Sequence, residues 1–252
     1  MIRRELNLLF LTFQYYSRIP TPRTEYSEEA LSRAFRYFPL VGAAVGSIGA
    51  LAVWGGSFFL PGEVAIFLAI ILMTLTTGAI HEDGFSDTFD GFGGGYDRER
   101  ILEIMRDSTS GVFGVVSLIL LFGFQFLMIR NLPFGLVPGA LVAAETSSRV
   151  MPLFFINTAD YARKDFSKGM HTRKKLSLTT LLIATAVGLC SLSLIPWQAV
   201  LPVMALYGVI FAAFRHYVLR KLSGYTGDTL GALIVLCRLA LYFILITIIP
   251  LL

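Results

Sequence analysis

Seven apolar segments, each close to the length that crosses a bilayer as a helix, constrain this chain more than any other feature of its sequence. They occupy residues 37–58, 62–80, 111–129, 135–156, 177–196, 198–214 and 229–250. A transmembrane helix needs roughly 20 apolar residues, and only 15% of the chain is charged, against about a quarter in soluble domains. We predict an all-α, polytopic membrane helical bundle of about seven transmembrane helices, forming one integral membrane domain over residues 1–252.

The N-terminal sequence MIRRELNLLFLTFQYYSRIP has a basic start and a short apolar run, as a signal peptide does. The run breaks at Gln14, and no small-residue cleavage site follows. We therefore predict an uncleaved amphipathic helix that lies at the membrane interface.

The basic residues divide unequally between the two sides of the predicted bundle. Of 21 Lys and Arg residues, 18 fall in the first 36 residues or in connections 81–110, 157–176 and 215–228, whereas the opposite side holds only Arg130. Because cytoplasmic loops carry the excess of basic residues, the N-terminus and the 81–110 loop are predicted to face the cytoplasm from the inner membrane. The basic residues are scattered, which indicates lipid headgroups as partners and no nucleic acid.

Residues 81–110 carry eight of the 17 acidic residues, an unusual concentration for so apolar a chain. They begin in the run HEDGFSDTFDGFGGGYDRER, where Asp83, Asp87 and Asp90 stand at positions i, i+4 and i+7. On a helix this spacing places the three side chains on one face, within roughly 60° of one another. Carboxylates this close repel each other, and a hard divalent cation such as Mg²⁺ relieves the repulsion. The spacing therefore predicts a metal site.

The residues between and after these aspartates leave an alternative open. Phe85 and Phe89 alternate with the aspartates, which predicts a helix with one buried and one acidic side; the alternative is a solvated acidic loop. Glu99, Glu103 and Asp107 form a second acidic set, but neighbouring arginines neutralise it. A solvated helix with intrahelical ion pairs is favoured for Glu99 and Glu103.

One arginine, Arg149, lies inside the apolar segment 135–156. An arginine at the centre of a membrane helix costs about 2.5–3.5 kcal/mol on insertion scales, so it is a functional candidate by default. Glu145, one helical turn earlier, is the expected partner. An internal salt bridge and a contact with a substrate phosphate are both left open.

The sequence HEDGFSDTFDGFGGGYDRERILEIMRDSTSG closely resembles the signature of the cobalamin synthase family, the adenosylcobinamide-GDP ribazoletransferases. Four other segments resemble family segments in the same order: SRIPTP at 17–22, RAFRYFPLVGAAVG at 33–46, ADYARKDFSKG at 159–169 and GYTGDTLGA at 224–232. The resemblance thus extends over most of the chain.

The resemblance implies an enzyme that joins α-ribazole, or its 5′-phosphate, to adenosylcobinamide-GDP and releases GMP, with Mg²⁺ as cofactor and the active site at the cytoplasmic face. It implies metal binding by Asp83, Asp87, Asp90 and Glu82, catalysis by the same three aspartates with Arg106 and Asp107, and substrate binding by Arg18, Ser108, Arg149, Arg163, Gly227 and Asp228. A homo-oligomer and a complex with other late vitamin B12 enzymes are left open.

The chain departs from the family pattern at two places. The family tends to have a basic residue where Thr109 stands, which puts one phosphate contact in doubt. In the last helix it usually has two glutamates where this chain has Val235 and Arg238, and Arg238 is expected to be an ion-pair partner instead.

Two other functions fit a membrane protein with spaced aspartates. A CDP-alcohol type phosphotransferase builds its metal site in this way, but its signature has Ala-Arg after Asp-Gly, and this chain has Phe85 and Ser86. A divalent-cation or solute transporter carries its acidic residues near the middle of the bilayer. Here the aspartates follow an apolar segment and open a polar loop, which favours a catalytic site at the interface.

Overall fold

The computed structural model describes residues 2–163 and 175–251, and within these ranges the chain is helical and has no β-strand. The helices are α1 (Ile2–Tyr16), α2 (Glu28–Ala34), α3 (Phe38–Gly56), α4 (Gly62–Thr77), α5 (Ile80–Gly94), α6 (Arg98–Ile104), α7 (Val112–Arg130), α8 (Val137–Ser148), α9 (Met151–Thr158), α10 (Leu178–Ser191), α11 (Trp197–Leu222) and α12 (Gly227–Ile248). The prediction of an all-α bundle is confirmed. The second half of the segment ADYARKDFSKG lies outside the described residues.

Within the described part of the chain, four helices are long and apolar enough to cross a membrane: α2 continued into α3, α7, α11 and α12. A fifth span is formed if α4 and α5, which are bent by 87° at their junction, are counted as one. Each of the seven predicted segments coincides with helix, but 135–156 is divided into α8 and α9, and α10 with its 3-10 extension is short. The structure therefore supports a membrane protein and leaves the predicted count of seven unconfirmed.

Helix α8 lies at the centre of the bundle, packed against α3, α10 and α12. Glycines of α3 allow its backbone to approach closely, as small residues do between membrane helices. A Cβ atom at Gly46 would lie 2.6 Å from Val142 Cα, and one at Gly42 would overlap the carbonyl of Glu145. The polar end of α8, including Glu145 and Arg149, is consequently buried.

The bend between α4 and α5 occurs at two consecutive residues in the left-handed conformation, Gly78 (φ 67°) and Ala79 (φ 61°). Glycine adopts this conformation without the steric cost that other residues meet. The bend directs α5 onto α12 and α7. At Gly84 the two helices are so close that a Cβ atom would lie 2.9 Å from the Asp228 carbonyl oxygen. This contact brings the acidic helix to the N-terminus of α12.

Helix α1 packs on α2 and α3 at the start of the bundle. Its Leu8 and Leu11 are buried against Leu31, whereas Arg3 and Arg4 are exposed. The helix is thus two-sided, as predicted, and its position at the membrane interface stays a prediction.

Candidate active site

Asp83 and Asp87 lie on α5 where the helix meets the start of α12. The side chain of Asp83 is exposed and that of Asp87 is partly buried. The carboxylates of Asp228, Asp83 and Asp90 all repel that of Asp87. Like charges held together in this way are stabilised when a cation binds between them. Asp83 and Asp87, which the spacing placed on one face, therefore lie near Asp228 of α12, and the three carboxylates make this part of the protein negative.

Asp228 is held beside an arginine from a distant part of the chain. Nη2 of Arg163 donates to Oδ2 of Asp228 at 2.7 Å and to the carbonyl oxygen of Met105 at 3.2 Å. Asp228 stands in the first turn of α12, where the Thr226 side chain caps the helix and Thr229 completes a reciprocal capping box. These contacts fix one positive charge next to the negative site.

The loop that carries Arg163 is attached to the start of α12 through backbone hydrogen bonds. Tyr225 N–H donates to the carbonyl of Asp160, and Ala162 N–H donates to the carbonyl of Tyr225. Gly224 permits this approach, because a Cβ atom there would lie 2.6 Å from Asp160 O. The segments 159–169 and 224–232, which the resemblance singled out, therefore meet at the site as far as residue 163.

Two of the four expected metal ligands have other partners in the structure. Glu82 is buried and accepts a hydrogen bond from Arg238 at 2.7 Å. Asp90 is also buried, and its two carboxylate oxygens accept from the backbone N–H groups of Gly111 (2.7 Å) and Gly114 (2.8 Å). Asp90 thus caps the N-terminus of α7, where backbone N–H groups lack partners within the helix.

The capping contacts of Asp90 predict a loss of stability when its carboxylate is removed. A hydrogen bond to a charged group contributes roughly 1.5–3 kcal/mol, and two bonds that share one carboxylate do not simply add. Asp90→Ala is therefore expected to lower the free energy of unfolding by about 2–4 kcal/mol, and Asp90→Asn by less. Thermal unfolding in detergent measures this effect. An unchanged melting temperature together with a raised Mg²⁺ requirement would instead support the metal role that the sequence predicted.

The partly exposed Phe89 also differs from the sequence prediction. Phe85 is buried against Leu121 and Val235, but Phe89 is 44% exposed and contacts the Phe85 ring. The helix α5 therefore has one buried side, as predicted, with Phe89 at its margin.

Arg149 is fully buried, and its guanidinium forms an ion pair with Glu145, Nη1 to Oε2, at 2.6 Å. The same group lies over the Phe38 ring, 5.8 Å from its centroid. Arg238 donates to the other oxygen of Glu145 at 2.9 Å. Of the two roles left open by the sequence, the structure shows the internal salt bridge, within a buried chain of charges formed by Glu82, Arg238, Glu145 and Arg149.

Three other predicted site residues, Arg106, Asp107 and Ser108, are exposed in the connection between α6 and α7. Both the backbone N–H and the hydroxyl of Thr109 donate to Asp107, which lowers the pKa of that carboxyl. Thr109, where the family tends to have a basic residue, therefore shapes this loop through hydrogen bonds.

Two further predicted arginines are Arg18, assigned to substrate binding, and Arg106, assigned to catalysis. Arg18 packs against the bend between the acidic helix and α4, where a Cβ atom at Gly78 would lie 2.7 Å from its Nε. Arg106 lines an open cavity of about 360 Å³ together with Arg98 and Arg163.

A resident Mg²⁺ fits the oxygen donors of this site only in part. In residues 2–163 and 175–251, no three His, Cys, Asp or Glu side chains are arranged as a complete metal site. Mg²⁺ is commonly bound through one or two carboxylates, with water and substrate phosphate as its other ligands. Asp83 and Asp87 could provide such a pair, so the donor set suits an ion that binds together with a phosphorylated substrate.

Known protein sequences match this chain over nearly its whole length. The profile of a family described as cobalamin-5-phosphate synthase matches residues 8–246. The chain belongs to this family. Proteins named adenosylcobinamide-GDP ribazoletransferase from Shewanella amazonensis and Shewanella oneidensis are each 38% identical to it, over 97% of the chain and 96% and 95% of the relatives. No solved structure matches. The predictions of a cobalamin synthase family member and of an enzyme are confirmed.

One positioning residue of this cobalamin synthase family member was missed by the sequence analysis. Arg98 was expected only to neutralise neighbouring acids. In the structure its Nε donates to Leu222 O at 2.8 Å and its Nη2 to Ala162 O at 2.5 Å. Arg98 thereby joins the start of α6 to the end of α11 and to the residue before Arg163. Arg98 directly follows Asp97, the N-cap of α6, so the start of the helix fixes its backbone position. An aspartate before a predicted helix is the sequence signal that could have indicated this.

Proposed function

We propose that this chain joins α-ribazole, or its 5′-phosphate, to adenosylcobinamide-GDP and releases GMP in a Mg²⁺-dependent reaction at the cytoplasmic face of the inner membrane. The observation that carries the proposal is the meeting of Asp83 and Asp87 with Asp228 and Arg163, in a chain whose relatives are named for this transfer. The transporter alternative lacks a comparable observation, and the CDP-alcohol alternative lacks the required signature.

The chemistry of the transfer matches the charges at the site. A ribazole hydroxyl oxygen forms a bond to the phosphorus that carries the corrinoid, while the bond from that phosphorus to GMP breaks. The hydroxyl proton goes to a base, for which we propose an aspartate of the site. Phosphoryl transfer depends mainly on positioning and on neutralising phosphate charge. We propose that Arg163, whose guanidinium is held beside Asp228, contacts a phosphate oxygen of the substrate.

A bound Mg²⁺ would supply further charge neutralisation on the pyrophosphate. We propose that Asp83 and Asp87 hold it, since both are acidic side chains of α5 that are not fully buried. In this proposal Glu82 and Asp90 do not bind the metal. Glu82 accepts a hydrogen bond from Arg238, and Asp90 caps the start of α7.

The reaction is tested with purified protein in detergent. GMP release is expected only when adenosylcobinamide-GDP, α-ribazole and Mg²⁺ are all present, and EDTA is expected to stop it. GMP release that does not depend on α-ribazole, or that continues at full rate in EDTA, would contradict the proposal. A homo-oligomer and a complex with other late pathway enzymes stay predictions.

The proposed orientation gives a labelling prediction. Tyr96 is 86% exposed between α5 and α6, in the connection that follows the acidic helix. Tyr96→Cys in a Cys190→Ser background should resist an impermeant thiol reagent in intact cells and react after the inner membrane is opened. An introduced cysteine at the periplasmic side of the bundle, Asn131→Cys, is the control and should react in both cases. Labelling of Tyr96→Cys from the periplasm would reverse the orientation.

A further inference from the structure

A cavity of about 200 Å³ adjoins the candidate active site and extends into the bundle. Asp83, Gly227 and Asp228 line its polar end. Gly227 is exposed, and no atom lies within 4 Å of the place that a Cβ atom would take there, so this end is open. The cavity therefore connects directly with the aspartates to which we assign the reaction.

The inner part of the cavity is apolar and rich in aromatic rings. Phe35, Phe38 and Ile234 line it and are almost completely buried. Tyr16 lies against Phe38 with the ring centroids 4.4 Å apart, and the His81 ring meets the edge of Phe38 at 6.1 Å. Flat aromatic groups are favoured next to such rings, in stacked or edge-on contact.

The size of the cavity restricts what it can hold. Sites for complete drug-sized ligands have volumes of about 300–1,000 Å³, and this cavity is smaller. It is therefore too small for a corrin macrocycle and suits one flat ring system of a larger molecule. Three such ring systems are present in the substrates of the proposed reaction: the adenine of the adenosyl group, the guanine of the GDP group and the dimethylbenzimidazole of α-ribazole.

The chemistry of the lining distinguishes among these ring systems. Guanine and adenine carry hydrogen-bonding groups around their edges, and burial of these groups without partners is unfavourable. Dimethylbenzimidazole has two methyl groups and a single free ring nitrogen, so its burial among apolar side chains is favourable. Its sugar would then lie at the polar end, with a hydroxyl group next to Asp83 and Asp228.

We propose that this cavity binds the dimethylbenzimidazole ring of α-ribazole and so selects the nucleoside substrate. The inference rests on the proposed function and adds a subsite to it. Ile234 on α12 and Ile156 on α9 form part of the apolar lining and set the space available to the ring.

The test enlarges the cavity and offers it a larger ring. Ile234→Ala is assayed for GMP release with α-ribazole and with a riboside of the three-ring base naphthimidazole. The wild type is expected to use the three-ring riboside poorly. Because one methylene group in an apolar pocket changes specificity by about 10–200-fold, the ratio of kcat/KM for the large over the natural base should rise at least about tenfold in Ile234→Ala. The KM for adenosylcobinamide-GDP should stay unchanged.

The matched control is Ile129→Ala, the same substitution at a buried position of α7 that does not line this cavity. It should keep the wild-type preference. If Ile234→Ala does not fold, Ile156→Ala is assayed in the same way. An unchanged preference in the folded variant, or a shift in the KM for the GDP substrate alone, would overturn the proposal. Failure of the wild type to release GMP with any riboside would overturn the proposed function instead.

Discussion

Asp87→Asn is expected to lower the rate of GMP release by about 10²–10³-fold, the usual effect of removing one electrostatic contact with a transition state. The side chain keeps its size but loses the charge that we assign to Mg²⁺ binding. Three neighbouring carboxylates repel Asp87, so removing its charge relieves repulsion and the protein should fold normally. The rate of GMP release and the melting temperature in detergent measure the two effects.

Glu103→Gln is the control for this prediction. Glu103 is 70% exposed on α6 and pairs with Arg100, so the variant removes one negative charge from the same part of the chain without changing the aspartate site. Its rate should stay near that of the wild type. Equal losses in Asp87→Asn and Glu103→Gln would show that general charge, rather than a specific site, supports activity.

The buried chain of charges leads to the largest expected effect on stability. Glu145 is fully buried between Arg149 and Arg238, and each arginine donates to a different carboxylate oxygen. Glu145→Gln leaves two buried guanidinium groups with a single acidic partner, Glu82. Breaking a buried ion pair by removing one member costs about 3–5 kcal/mol, so the variant should unfold at a much lower temperature.

A double substitution tests whether charge balance is the reason. Glu82→Leu alone leaves an excess buried positive charge, whereas Glu82→Leu combined with Arg238→Leu leaves the neutral pair of Glu145 and Arg149. The double variant should therefore be more stable than the Glu82→Leu variant. Glu29→Gln, which breaks the exposed pair with Arg33, should cost about 0–1 kcal/mol. A double variant no more stable than Glu82→Leu would contradict this account.

Local sequence patterns predicted the helices well because the length of an apolar run is a local property. All seven apolar segments coincide with helices. The interruption of the fourth at Arg149 and Val150 was not predicted, nor was the 87° bend after Gly78. Glycine marks a place where a left-handed conformation is easy, but the packing of α5 on α12 and α7 decides the direction that the chain takes.

The candidate site was predictable to the extent that its residues share one helix. The i, i+4 spacing placed Asp83 and Asp87 together without any knowledge of the fold. The partners of Glu82 and Asp90 could not be found in this way, since Arg238 is 156 residues from Glu82 in the chain and Gly111 is 21 residues from Asp90. The spacing predicted Asp83, Asp87 and Asp90 as ligands and the resemblance added Glu82, but in the structure Glu82 and Asp90 have structural partners.

The pairing of Arg163 with Asp228 shows what family resemblance adds. The two residues are 65 positions apart, and no periodicity links them. Only the matching segments indicated that both belong to the substrate site. The cavity next to Asp83 was not predicted at all, because its lining comes from several helices whose arrangement is a property of the whole bundle.

The metal dependence of Asp87→Cys tests most directly whether Asp87 binds the catalytic metal. A thiolate is a soft ligand that binds Mg²⁺ poorly and softer divalent ions well. GMP release by Asp87→Cys should be very low in Mg²⁺ and should recover when Cd²⁺ is added, while the wild type should show no gain from Cd²⁺. Both proteins contain Cys190 and Cys237, so these native thiols cannot cause the difference. Full activity of Asp87→Cys in Mg²⁺, or an equal response of both proteins to Cd²⁺, would contradict the assignment of Asp87 as a metal ligand.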